Sequence, residues 1–258
     1  MKSSNIILSI TGGVIALSLF SCVKKIGKEH ALETMDFRNS SFVQVYNATV
    51  GSSRNYVYVD ANPVTGAPLA FGATFPSTPA NFSLTSGFRE FLIKDTLSTT
   101  TQAQISFAEN LQASNNYTIF MYDTTTAAKQ KTVMNNIIIP TDTTARLRFA
   151  NFAYSPFPIP AVDLFSVKRN AVIFSNVSTT EVTNFIPYDS RNTDTLYVQV
   201  AGSGTNIMNK NSSGVYSPIL LAITPTRLRS YTVIFKGGWR SDLSTAATAR
   251  SLAIFANN

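Results

Sequence analysis

Cysteine and histidine are almost absent from this chain: each occurs once in 258 residues, and this scarcity excludes several kinds of chemistry. Cys22 has no partner for an internal disulfide, and structural zinc sites need clustered cysteine or histidine side chains. A nucleophilic triad needs a base that takes the serine proton, and His30 lies in a polar stretch where nothing would orient it. Calcium-loop spacing, glycine-rich phosphate loops and dinucleotide fingerprints are also missing. The sequence therefore predicts no metal ion and no cofactor.

The first 25 residues have the layout of an export signal. Lys2 gives one positive charge, and residues 6–20 then run apolar or small without any charge. The run is shorter than the roughly 20 apolar residues that span a bilayer, and Lys24 and Lys25 follow closely. At its end, Leu19-Phe20-Ser21-Cys22 resembles the lipobox of bacterial lipoproteins. The resemblance implies that residues 1–21 are a lipoprotein signal peptide and that Cys22 becomes the lipid-modified first mature residue; a free or buried thiol is the alternative.

Residues 22–41 are predicted to be a lipid-anchored tether because they are rich in charge and lack apolar periodicity. Lys24 and Lys25 would lie among lipid headgroups, where each cation contributes about 1 kcal/mol to binding an anionic surface. Some surface-exported lipoproteins carry an acidic stretch directly after the cysteine, and this chain does not. We therefore expect the chain to be anchored in the cell envelope, at the outer membrane facing the periplasm, with display on the cell surface as the alternative.

Beyond residue 41 no stretch shows a convincing helical period, and β-branched or aromatic residues alternate with polar ones between frequent turn residues. The rhythm occurs twice. Five segments of the first half, residues 42–47, 55–60, 88–94, 103–107 and 117–122, have counterparts at residues 147–152, 161–165, 195–200, 219–223 and 231–235. We predict an all-β chain with two tandem immunoglobulin-like β-sandwich domains, residues 42–140 and 145–258, that make few contacts with each other.

Two tyrosines begin late strands at matching places of the two halves, Tyr117 and Tyr231. In immunoglobulin-like sandwiches a tyrosine at such a place bonds its hydroxyl to backbone a few residues upstream. The sequence predicts two tyrosine corners of this kind, with solvent-facing tyrosines as the alternative.

The second half also carries a family-like pattern. The segments at residues 146–151, 160–165, 172–174 and 185–187 resemble the domain-of-unknown-function 4397 family, a β-sandwich module that is often tandem in exported bacterial proteins. The resemblance spans most of residues 145–255 and only weakly covers 42–139, where Tyr58 stands in place of the patterned aspartate. It implies a fold and a location, and the family has no established activity to carry over.

The positive charge is concentrated in the second half. Residues 42–140 carry five basic and five acidic side chains, whereas residues 145–258 carry eleven and five. Such a surplus favours contact with an anionic partner, although a solvated face would have the same composition. Four arginines alternate with apolar residues and are predicted to project from sheet faces toward an anionic glycan or lipid headgroups: Arg146, Arg148, Arg227 and Arg229. Trp239, Tyr216 and Tyr188 are candidate sugar or peptide contacts, with packing in the core or its rim as the alternative.

These patterns lead to a functional hypothesis and a rival. We expect a non-enzymatic envelope lipoprotein that acts as a binding or structural module, with a glycan, another anionic envelope component or an envelope protein as partner and no nucleic acid. The rival is a glycan-acting hydrolase, because its two carboxylates need not be close in sequence. Its candidates in the second half stand in no recognisable motif: Asp163, Glu181, Asp189 and Asp194.

A short pattern also suggests modification. Asp-Thr followed by an apolar residue or threonine resembles the acceptor of periplasmic O-glycosylation in some Gram-negative bacteria, and it occurs at Thr96, Thr124, Thr143 and Thr195. Asp-Thr pairs are also ordinary turn formers, which is the alternative interpretation.

Overall fold

The chain folds into β-strands, as the sequence pattern predicts. The computed structural model describes residues 37–137 and 139–257. A single turn of 3₁₀ helix, Phe37–Asn39, comes first. The first half then contains β1 (Ser40–Asn47), β2 (Asn55–Val59), β3 (Asn62–Pro63), β4 (Thr74–Phe75), β5 (Phe82–Thr85), β6 (Gly87–Asp95), β7 (Ile105–Leu111), β8 (Asn116–Tyr122) and β9 (Lys129–Asn135). The second half contains β10 (Ala145–Tyr154), β11 (Val162–Ser166), β12 (Ala171–Val177), β13 (Ile186–Tyr188), β14 (Asp194–Val200), β15 (Met208–Lys210), β16 (Tyr216–Pro218), β17 (Leu220–Ile223), β18 (Ser230–Gly238) and β19 (Ser251–Ala256).

The all-β prediction is therefore confirmed. Within the described ranges no helix is both long enough and apolar enough to cross a membrane. The signal peptide, Cys22 and most of the tether lie outside the described residues.

Each half is built from two main sheets with a core between them. In the first half one sheet has the order β4-β1-β8-β9, with β5 also paired to β1, and the other has the order β3-β2-β6-β7. Residues such as Val43 and Ile119 from the first sheet meet Val57 and Ile93 from the second in a single apolar cluster. In the second half β13-β10-β18-β19 packs on β12-β11-β14-β17 around a cluster that includes Phe149 and Leu196, and β15 and β16 form a separate hairpin.

The two halves repeat one topology. In each, the first strand pairs in parallel with a late strand, β1 with β8 and β10 with β18. All five matched segments fall on equivalent strands, namely β1 and β10, β2 and β11, β6 and β14, β7 and β17, and β8 and β18. The repeat predicted from the sequence is confirmed at the level of strand topology.

The tyrosine corners are also present in both copies. The Tyr117 hydroxyl accepts a hydrogen bond from the backbone N–H of Gln112 at 2.9 Å. The Tyr231 hydroxyl accepts one from the N–H of Thr226 at 3.2 Å. Both bonds reach five residues upstream, so the two tyrosines fix equivalent turns before equivalent strands.

The prediction that the halves make few mutual contacts is wrong. A third apolar cluster joins them, with Tyr46 and Phe120 from the first half against Phe152 and Phe255 from the second. Because side chains alternate along a strand, β10 sends Phe149 into its own sandwich core and Phe152 toward the other half. The sheets that carry the parallel strand pairs thus pack against each other through their outer faces, and Phe37–Asn258 forms one compact unit.

Candidate functional site

Arg148 lies inside this contact between the halves and does not project into solvent as predicted. Only 2% of its surface is exposed, because it occupies the β10 face that the first half covers. Its Nε donates to Thr232 Oγ1 at 2.8 Å and its Nη2 to Thr118 Oγ1 at 3.3 Å, while its guanidinium lies 4.7 Å from the ring centroid of Phe185. Burial lowers the pKa of Arg148 to about 9, so the side chain is still a cation at neutral pH.

The side chains around Arg148 form a neutral hydrogen-bond network that crosses between the halves. Thr232 donates to Asn257 Oδ1 at 2.7 Å, and the Asn257 side-chain amide donates to Gln44 Oε1 at 3.4 Å. The Gln44 amide in turn donates to the carbonyl of Ala256 at 3.1 Å. Among residues 37–137 and 139–257 no carboxylate forms an ion pair with Arg148. A buried cation is therefore held by uncharged oxygens alone.

A cavity of about 270 Å³ opens beside this cation, between the end of β9 and the strand that carries Arg146 and Arg148. We call it the arginine cavity. It is lined by Val133, Met134, Asn136, Arg146, Arg148, Val182, Thr183, Asn184 and Phe185. Arg146 is half-buried and donates to Thr144 Oγ1 at 2.5 Å and to the carbonyl of Ala145 at 3.2 Å. Two of the four predicted contact arginines thus line one cavity, and neither lies in a salt bridge with a described residue. Asp142 acts on Arg146 from outside the cavity, since the Thr144 hydroxyl that accepts from Arg146 donates to Asp142.

The other two predicted arginines lie elsewhere. Arg227 and Arg229 are exposed in the turn before β18, whereas the sequence alternation suggested a strand. Leu228 between them has a φ of 64°, a left-handed conformation that a pleated strand does not allow. Neither arginine lines the arginine cavity.

The three aromatic side chains that were predicted to contact a ligand lie in different environments. Trp239 is half-buried at the rim of the second core, edge-on to Phe235, and its carbonyl accepts a hydrogen bond from Arg250 at 2.6 Å. Tyr216 is exposed on β16. Tyr188 is buried, so its suggested contact with a ligand is wrong. Core and rim packing therefore explain Tyr188 and Trp239.

Tyr188 is buried in the core of the second half, where its hydroxyl donates to the carboxylate of Asp194. The same carboxylate accepts a hydrogen bond from the Ser166 hydroxyl, and its Oδ1 accepts the backbone N–H of Lys168 at 2.9 Å. Burial acts to raise the pKa of Asp194, but the hydrogen bonds outweigh it and hold the pKa below its ordinary value of 3.8. Asp194 therefore stabilises the fold as a carboxylate.

The other candidate carboxylates also bind their own chain. Asp163 accepts the backbone N–H groups of Asn176 at 2.7 Å and Gly202 at 2.8 Å. Glu181 accepts the N–H of Ser178 at 2.9 Å, and Asp189 is exposed 3.5 Å from the ammonium of Lys168. None of the four lines the arginine cavity. Within the described part of the chain no cluster of histidine, cysteine and carboxylate side chains is placed to hold a metal ion.

We expect Asp194→Asn to lower the free energy of unfolding by about 1.5–3 kcal/mol at pH 7, because hydrogen bonds to a charged acceptor are lost. Since the folded pKa is depressed, the stabilisation is present above pH 3.8 and is lost as the pH falls through the folded pKa. The variant should therefore lose less stability on acidification than the wild type. Urea unfolding at pH 7 and at decreasing pH measures this, with the exposed Asp189→Asn as control. Equal stability of Asp194→Asn and Asp189→Asn would contradict it.

The acceptor-like threonines occupy two kinds of position. Thr96 and Thr143 are exposed in turns, Thr124 is half-buried, and Thr195 lies within β14, between β11 and β17. The preceding aspartates form local turns: Asp95 accepts the N–H of Leu97 and Asp142 that of Thr144, each at 2.9 Å. The structure thus shows the turn-forming role, and glycosylation stays a prediction that fits the two exposed threonines best.

Of the nine residues that line the cavity, only Arg146 and Arg148 were singled out from the sequence as ligand contacts. Phe185 entered only through the resemblance pattern, and Asn136 and Asn184 lie outside the strands and carry no periodic signal. Their proximity arises because β9 of the first half lies beside residues 182–185 of the second. A single sequence carries no pattern that predicts this proximity of β9 to residues 182–185.

No family model and no curated protein matches the chain. Among solved structures, a carbohydrate-binding module of family 26 from Eubacterium rectale Amy13K, in complex with maltoheptaose, is 9% identical to it. The match covers 85% of this chain and 97% of that chain with a TM-score of 0.26.

Proposed function

We propose that this chain is a non-enzymatic binding module of the bacterial cell envelope, anchored through lipid on Cys22, and that its arginine cavity binds an acidic sugar of an envelope glycan. The observation that carries the proposal is the buried cation of Arg148 in the wall of a cavity, with a second arginine, Arg146, beside it and no salt bridge to Arg148 among the described residues. The anchor rests on the lipobox resemblance. The inference that the ligand is a glycan rests on the chemistry of the residues that line the cavity.

An anion would relieve the cost of the buried cation. Removing a charge from water is unfavourable unless an opposite charge or strong hydrogen bonds replace the lost hydration. Thr118 and Thr232 supply only neutral oxygens to Arg148. A carboxylate matches the planar guanidinium with two parallel hydrogen bonds, and such charge-assisted bonds are stronger than neutral ones.

The rest of the cavity wall suits a sugar better than a bare anion. Asn136 and Asn184 present amide groups beside the arginines, and amides can both donate to and accept from sugar hydroxyls. Phe185 and Val133 provide apolar surface. Ligand pockets typically combine a few polar groups with apolar walls in this way. A uronic acid offers a carboxylate, hydroxyls and an apolar ring face together.

Binding without turnover is supported by the state of the carboxylates. Asp163 and Asp194 are occupied by backbone and hydroxyl donors of their own chain, and neither lines the cavity. A glycosidase needs two carboxyl groups that flank the scissile bond. The described residues of the arginine cavity include none.

We expect the full chain to bind hexagalacturonate and to bind its fully methyl-esterified form at least tenfold more weakly, because esterification removes the charge that the arginines recognise. Arg148→Met and Arg146→Met should each weaken hexagalacturonate binding by about 10- to 100-fold, which corresponds to about 1.5–3 kcal/mol for a hydrogen bond to a charged group. Affinity should fall as salt rises from about 0.05 to about 0.5 M. Calorimetric titration measures all three.

Arg227→Met is the matched control, since it removes the same charge from an exposed turn outside the cavity. Melting curves of each variant establish that it is folded. Equal affinity for the ester, or unchanged binding by both cavity variants, would refute the proposal. Binding to anionic phospholipid vesicles that depends on Arg148 would assign the cavity to a lipid headgroup instead. Shortened oligosaccharides by mass spectrometry, abolished by Asp163→Asn or Glu181→Gln, would establish the hydrolase alternative.

A further inference from the structure

A second groove lies between the halves, on the other side of a contact that separates it from the arginine cavity. The ammonium of Lys131 in β9 donates to the carbonyl of Thr180 at 2.7 Å, joining the first half to the second. In both halves, the residues on one side of the contact between Lys131 and Thr180 form the lining of the arginine cavity. Those on the other side, including Lys129 and Thr179, line the second groove.

This groove consists of two adjoining cavities of about 230 and 440 Å³, which share Ser155 and Thr179. We call it the tyrosine groove. The first cavity is lined by Tyr122, Asp123, Lys129, Phe152, Ala153, Tyr154, Ser155, Thr179 and Thr180. The second is lined by Ser155, Phe157, Pro158, Ile159, Ser178 and Thr179. An elongated ligand of more than one ring could therefore occupy both.

Aromatic rings follow the groove along its length. Tyr122 and Phe152 lie 5.4 Å apart between ring centroids, and Phe152 is buried where the halves meet. Tyr154 is half-buried at the end of β10. Phe157 lines the second cavity with 57% of its surface exposed, and the guanidinium of Arg240 lies 4.9 Å from its ring. Three aromatic side chains thus remain accessible along one groove.

The polar groups of the groove are balanced in charge. The Lys129 ammonium lies 2.7 Å from the carboxylate of Asp123, so the two charges compensate each other. Within the described ranges neither the Tyr122 nor the Tyr154 hydroxyl has a hydrogen-bond partner. Among the lining residues the charges of Asp123 and Lys129 cancel, so the groove offers hydroxyls and aromatic faces, with the Arg240 guanidinium beside Phe157 at one end.

We infer that the tyrosine groove is a second binding site, for a neutral oligosaccharide of hexose units. Aromatic side chains combine a large apolar face with, in tyrosine, a hydroxyl at the edge. The apolar C–H face of a pyranose packs on such a ring, while its hydroxyls bond to groups at the rim. The paired Asp123 and Lys129 can accept from and donate to those hydroxyls, and Ser155 and Thr179 lie where a chain would pass between the two cavities.

The test is calorimetric titration of the full chain with cellohexaose, maltohexaose and mannohexaose as three neutral probes. At least one should bind, with little dependence on salt because no ion pair with the ligand is involved. Tyr154→Ala and Tyr122→Ala should weaken that binding roughly tenfold or more, as truncating a buried aromatic contact usually does. Tyr154→Phe keeps the ring and should lose less than Tyr154→Ala.

Two controls separate this site from the rest of the surface. Tyr216→Ala removes an exposed tyrosine far along the chain on β16 and should bind as the wild type does. Hexagalacturonate probes the arginine cavity and the neutral hexaoses probe the tyrosine groove, so failure of one site and failure of the other give different results. Phe157→Ala changes an exposed side chain at low risk to folding and should weaken hexaose binding as well. Absence of binding by all three probes, or unchanged binding by both Tyr154→Ala and Phe157→Ala, would overturn the inference.

Discussion

Replacement of Phe120 by alanine should lower the free energy of unfolding by about 3–5 kcal/mol, the usual range for a fully buried phenylalanine. Phe120 belongs to the first half, but its ring stacks on Phe152 of the second at 4.6 Å and meets Phe255 at 6.3 Å. The loss should therefore destabilise both halves in one cooperative transition. Two independent sandwiches would instead unfold separately.

The only tryptophan makes this measurable. Trp239 packs against the core of the second half, so its fluorescence reports unfolding of that half. We expect Phe120→Ala to lower the denaturant midpoint seen by Trp239 as much as the midpoint seen by circular dichroism. Phe88→Ala, which truncates a 69% exposed side chain of the first half, serves as the control and should change neither. An unchanged Trp239 midpoint in Phe120→Ala would contradict this prediction and would indicate two weakly associated domains.

The second large effect is expected at Cys22, where alanine should prevent lipid attachment and either release the chain from membranes or leave its signal peptide uncut. The reason is that the acyl chains would be the anchor, since each buried CH₂ contributes about 0.8 kcal/mol to membrane binding. Membrane fractionation with a labelled fatty acid measures the outcome. Ser21→Thr is a milder control beside the cleavage position. A wild-type chain that stays membrane-bound without acquiring label would contradict the lipoprotein assignment.

Alternation of apolar and polar residues was enough to predict ten strands, five in each half, that carry most of the two sandwich cores. The other strands were not predicted from alternation: the short β3, β4, β5, β15 and β16, β12 and β13, and the edge strands β9 and β19. Lys129–Asn135 is largely polar because β9 lies at the edge of its sheet. The packing of the two halves against each other through the outer faces of their sheets was also not predicted. Phe149–Ala153 is almost continuously apolar, which is the pattern of a strand buried on both sides. Arg146 and Arg148 obscured that signal, since arginine is rarely buried without a paired charge.

The arginine cavity could be anticipated in part. Charge and spacing singled out Arg146 and Arg148, but the same criteria selected Arg227 and Arg229, which only the left-handed turn at Leu228 distinguishes. The tyrosine groove could not be anticipated, because Tyr122 and Tyr154 belong to different halves and meet only when the two sheets pack together. A binding site formed between two repeats depends on how the repeats pack, and the residue pattern within one repeat does not predict that packing.

The parallel pairing of early with late strands also governs when the fold can form during synthesis. Phe42 pairs with Asn116, and the side chain of Gln44 bonds to the carbonyl of Ala256, 212 residues further along the chain. Folding slows as the sequence separation of contacting residues grows, because long loops must close before their contacts stabilise them. β1 cannot complete its contacts until residues 251–257 have left the ribosome. A nascent chain halted before β19 would therefore leave the outer edge of β18 unpaired, and an unpaired strand edge is prone to aggregation.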